Sequence, residues 1–136
     1  FVTDRLAGEF VSSIPMDGDE TERMILVLDR LFVVFRGETF AAAMELHLAA
    51  RTDQTLREPI SRLHAEDRSR IRESAIALMP GVEDRPGFDA WLLMAVAAMR
   101  ALAVATMGVE DVEDEWRMLR DRLVESASEL LRQESV

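Results

Sequence analysis

Few side chains in this sequence could do chemistry. His47 and His64 are its two imidazoles. His64 and Asp67 are one helical turn apart, and with His47 from another helix they would make a three-ligand metal site. The plainer alternative is a surface pair and a separate imidazole in an apolar wall. There is no cysteine, which removes disulfides, thiolate nucleophiles and sulfur-bound metals. A serine nucleophile needs a neighbouring histidine and acid. The serines fall at helix ends or on polar faces, and no strand-turn-helix elbow surrounds one. No glycine-rich phosphate cradle occurs. Neither histidine follows a Glu by three residues, as a di-iron bundle requires. The expectation is no catalytic residue, no metal, no cofactor and no enzyme.

Charge and composition narrow the partners. The 136 residues are one domain's worth, read as a single unit over 1–136, and the net charge is −10. Such a surface repels phosphate, so neither nucleic acid nor an anionic membrane is an expected partner of these residues. All 16 basic residues are Arg, and Lys, Tyr and Asn are absent. That bias suggests a G/C-rich bacterial coding sequence and a cytoplasmic setting. No charged-then-apolar leader follows Phe1, so no signal peptide is expected, and the chain reads as a fragment of something longer.

The elements that must position these residues are helices, because apolar residues recur every three or four positions and nowhere alternate. Val2, Leu6, Phe10 and Ile14 open the chain, and 15–18 interrupt. Asp19 and Glu22 fit a capping box. Met24, Leu28, Leu31 and Phe35 form the face of a second helix, with Gly37 suited to a left-handed C-terminus. Phe40, Met44, His47 and Arg51 share a face of the third. His47 is either a satisfied core residue or a polar tip orienting a ligand in a cavity. Thr52 and Asp53 read as a stop and a new cap. Pro59 should kink or restart the following helix, whose stripe is Ile60, Leu63, Ile71, Ala75 and Leu78, with Asp67 inside it. Residues 81–87 read as a loop.

Of the 18 residues from Ala90 to Met107, Arg100 and Thr106 alone are not apolar. A helix apolar all round is buried or crosses a membrane. Arg100 argues against the membrane at about 2.5–3.5 kcal/mol. Such a helix needs protein on every side, more than its own chain can offer. Ala97, Ala101 and Ala105 would allow close approach of a second backbone. Arg100 has three readings: an acid on the last helix, an acid across a dimer, or an anionic ligand. The last helix, about 111–133, carries the stripe Val112, Trp116, Leu119, Leu123, Ala127 and Leu130. The expected fold is all-α, a bundle of about six helices.

The run from Phe40 to Arg57, FAAAMELHLAARTDQTLR, resembles a helix junction of tetracycline-repressor (TetR) family regulators. An Arg/Glu-rich helix, a Pro/Gly loop, a long Ala/Leu helix with Met99-Arg100-Ala101-Leu102 and a final amphipathic helix follow in a similar order. The resemblance implies an effector-binding and dimerisation domain, with the last two helices pairing as a four-helix bundle. DNA would be reached only through an N-terminal helix-turn-helix domain that these residues lack. It implies a homodimer and a small apolar or amphipathic effector, held by Phe40, Met44, His47, Trp91 and Met94. Phe10, Leu28, Phe32 and Phe35 are further candidates. Ala97, Ala101, Ala105, Trp116, Leu119 and Leu123, with Arg100 beside them, would form the interface. The competing readings are a stand-alone helical dimerisation or scaffold protein without a ligand, and a small all-α enzyme.

Overall fold

A computed structural model describes residues 3–132; Val2 and Gln133, expected in the first and last helices, lie outside the described residues. Among the described residues there are helices and turns and no strand: α1 (Asp4–Ser12), α2 (Glu20–Phe35), α3 (Glu38–Ala49), α4 (Arg57–Leu78), α5 (Phe88–Ala105) and α6 (Glu113–Arg132). The all-α bundle expected from the periodicity is what forms.

Local chemistry sets the ends. Thr3 Oγ1 accepts the Leu6 amide and caps α1, and Asp19 accepts the Thr21 amide and caps α2. Gly18, with φ +91°, turns the chain between them. Gly37 is not the left-handed C-cap that its position suggests. Its backbone is extended (φ −78°, ψ 164°) and it starts α3. Glycine is favoured there by space, since an added Cβ would lie 3.2 Å from the Val34 carbonyl oxygen. Pro59 occupies the third position of α4 and does not kink it. Amides of a first turn have no intrahelical acceptor, so the missing donor costs nothing there.

The core is built by α2, α5 and α6, which pack on one another, while α1 lies on α4. Met24, Leu28, Phe32 and Phe35 of α2 are all buried. They meet Trp91, Ala95, Met99 and Ala103 of α5 and Trp116, Leu123, Ala127 and Leu130 of α6. The seam between α2 and α6 is specific. Trp116 stacks on Phe32 with ring centroids 4.2 Å apart and planes 4° from parallel. Trp116 Nε1 donates to Asp29 Oδ1 at 2.8 Å, and Arg120 Nη1 donates to the same carboxylate at 3.2 Å. Across the seam of α5 and α6, Trp91 Nε1 donates to the Leu123 carbonyl at 3.2 Å.

Arginines tie the remaining pieces. Arg36 donates to Thr106 Oγ1 and to the Val109 carbonyl, fastening the end of α2 to the end of α5. Arg72 donates to Asp89 at 2.8 Å, with its guanidinium 5.7 Å from the Phe88 ring centre, joining α4 to α5. Arg70 donates to Asp4 and holds α1 on α4. The ion pairs Arg72–Asp89 and Arg70–Asp4 are exposed and individually contribute little. The stacked tryptophan is different. Trp116→Ala removes a buried ring and its bond to Asp29, and is expected to cost about 3–5 kcal/mol in urea-induced unfolding. A loss below about 1 kcal/mol would mean that the seam does not hold α6 in place.

Candidate functional site

A cavity of about 360 Å³ lies between α1, α2, α4 and α5. That is within the usual range of about 300–1,000 Å³ for small-molecule sites. One wall is the length of α2, from Arg23 and Met24 through Val27, Leu28 and Leu31 to Val34 and Phe35. Leu6, Ala7 and Phe10 of α1 form the second wall, and Ile71, Ala75, Leu78 and Met79 at the end of α4 form the third. Trp91, Leu92, Ala95, Val96 and Met99 close it from α5. Arg23, Glu38, Thr39 and Ser74 bring the polar atoms. Leu6 and Val34, 47% and 40% exposed, mark where the wall meets solvent. An apolar body can be desolvated against this wall.

The expected ligand residues divide. Phe10, Leu28, Phe35 and Trp91 line the cavity. Phe40, Met44 and His47 do not. Phe40 is buried in the core, 5.0 Å from the Phe35 ring, so it supports the wall from behind. Met44 packs half-buried on the same core. Phe32 faces away, onto Trp116. Met94 points outward and is 47% exposed, because α5 presents Trp91 and Ala95 to the core and Leu93 and Met94 to the outside.

The charges of Arg100, His64 and Asp67 act on His47, and none of these four residues lines the cavity. Asp67, within the α4 stripe, is buried. Arg100 lies half-buried with its guanidinium 5.9 Å from the Phe35 ring centre, and its Nε has no hydrogen-bond partner. Burial pushes the Arg100 guanidinium below its usual range, and the Asp67 carboxylate opposes this. The acid it feels is therefore on α4, not on the last helix. Among the described residues, no group of three His or acid side chains could hold a metal ion.

The expected interface residues divide too. Ala97, Ala101 and Ala105 are exposed on the outer face of α5. Leu93 is 59% exposed on α5 as well. Trp116 and Leu123 are buried inside the protomer, and Leu119 and Arg100 are half-buried. The stripe of α6 is consumed by its own chain, because α2 and α5 both offer it apolar surface. Among the described residues α5 is also the one helix long and apolar enough to cross a membrane, with a third of it buried.

A second groove, about 620 Å³, runs along α2 and α6 past Asp29, Trp116 and Arg120. The polar atoms of Asp29, Trp116 and Arg120 there already bond one another. Sequence reasoning missed Arg23, Ile71 and Ala75 as wall residues. The last two were legible as the α4 stripe, but nothing local says which helix that stripe faces.

No family model matches the chain, and neither a curated protein nor a solved structure matches it.

The His47 imidazole is held below its ordinary value, first by burial, then by the Arg100 and His64 charges, with Asp67 opposing. A base depressed in the folded state makes the fold less stable as pH falls below its unfolded value, near 6.5. His47→Gln is therefore expected to lose less melting temperature than the parent between pH 7 and pH 5. An equal or larger loss in the variant would assign His47 no such role.

Proposed function

We propose that this chain is the effector-sensing and dimerisation domain of a TetR-type transcriptional repressor. The observation that carries the reading is the apolar cavity between α1, α2, α4 and α5. A domain built for packing alone gains by filling such a space, since empty volume forfeits contacts. A space kept open and apolar suits a ligand. The ordered resemblance along the chain supplies the regulatory context. The cavity sits between α1, near the start of the chain, and the helices packed beneath it. A ligand bridging these walls favours one placement of α1 over another, and that difference in affinity is what moves an attached DNA-binding domain.

Dimerisation is the second half of the proposal. The outer face of α5 presents Leu93, Met94, Ala97, Ala101 and Val104. Small residues at that spacing admit a second helix closely. The interface then centres on α5, since the α6 stripe is turned inward. The chain is read as a cytoplasmic homodimer and not as an enzyme.

Two outcomes test this. In solution the mass is expected to be twice 15.4 kDa, and Ala101→Glu is expected to halve it without unfolding the chain. A parent protein that stays single at micromolar concentration sinks the interface. For the cavity, the neutral dye N-phenyl-1-naphthylamine is expected to bind once per chain. Val27→Trp, filling the wall, abolishes binding, whereas His47→Trp leaves it intact. Equal binding by both variants would misplace the site.

A further inference from the structure

The cavity has two chemically different ends. At one, Arg23 stands at the fourth position of α2, where the partial positive charge of a helix N-terminus makes a cation unfavourable. Its Nη1 donates to the Met16 carbonyl at 3.0 Å. That is its one hydrogen bond among the described residues, and no acid pairs with it there, although Glu20 and Glu22 stand exposed in the same turn. Nε is buried without a partner. The edge formed by Nε–H and Nη2 is thus unused, and this is the edge that grips a carboxylate with two parallel bonds. Arg23 is the one arginine among the residues lining the cavity. Other arginines on the bundle, Arg36, Arg70, Arg72 and Arg120, each have an acceptor that locks them. At the other end the wall carries Glu38 and Thr39. Between them the wall follows α2 from Arg23 to Phe35, a length of about 18 Å at about 1.5 Å per residue. The wall residues therefore run along most of the length of α2.

Resting on the cavity reading above, we propose that the ligand is an elongated apolar monocarboxylate, its head on the open edge of Arg23 and its tail along α2 toward Thr39. A slight turn of the guanidinium brings Nε–H, now cut off from water, to the carboxylate. The polar atoms near the middle are few, so the tail needs no hydrogen-bonding groups of its own.

The test is calorimetric titration of the whole chain with decanoate, decan-1-ol and decylammonium, which share one tail. Decanoate is expected to bind once per chain and about tenfold or more tighter than decan-1-ol, as charge-assisted bonding implies. Decylammonium should be weakest. Arg23→Gln is expected to remove the advantage of decanoate and leave decan-1-ol unchanged, while Arg23→Lys keeps part of it. If decan-1-ol binds as well as decanoate, or decylammonium binds best, the carboxylate assignment falls and the cavity reading stands. If none of the three binds the parent chain, both fall. Should Arg23→Gln fail to fold, the comparison of the three head groups on the parent chain still decides.

Discussion

The seam between α2 and α6 holds the rest of the bundle in place. Trp116 lies flat on Phe32 and donates to Asp29, which also accepts from Arg120. One face of α2 is thereby committed to α6. The opposite face, carrying Val27, Leu31 and Val34, looks onto the cavity. The cavity is the space left when a helix is gripped firmly on one side and faces a thin wall on the other. That wall is α1, nine residues long and with none of them buried. A helix so short has little stability of its own, so its position depends on the contacts it makes. The part of the molecule nearest the cavity mouth is therefore the part most easily biased by a ligand.

The polar side chains follow the same division. On the α6 side, donors and acceptors are matched, and the groove there offers a ligand few unused atoms. On the cavity side, Arg23 retains an open edge. Arg100 also has an unpartnered Nε, but it lies behind Phe35, near Asp67 and His47, not on the cavity wall. Burying such groups is costly unless they are matched. Where a cost of that kind persists beside an apolar space, a bound molecule is its natural relief.

Helix α5 serves two surroundings at once. Phe88, Trp91, Ala95, Met99 and Ala103 are buried in the core and the cavity floor. Leu93, Met94, Val104 and the alanine row are exposed. A rod apolar on all sides cannot be covered by one layer of neighbours when α6 and α2 occupy only one side of it. The proposed partner copy answers that constraint, and it falls on α5 because α6 has turned its own stripe inward.

The helices themselves were legible in the sequence, because period, caps and breakers act within a few residues. Asp19, Pro59, Gly18, Gly37, Gly81 and Gly87 each mark a local boundary, although Gly37 does so through lack of space rather than a left-handed backbone. Four of the nine expected ligand residues, Phe10, Leu28, Phe35 and Trp91, do line the cavity. The others do not. Phe40 and His47 share a face at helical spacing, yet whether that face meets the cavity depends on the angle at which α3 leaves α2. Ile71 and Ala75 were visible as a stripe without a destination, and Arg23 looked like any cation on a helix. Periodicity says that a face is apolar; it cannot say what that face touches. The neighbour is chosen by the packing of distant segments, and tertiary structure alone decided which apolar faces would close on one another and which would leave a space between them.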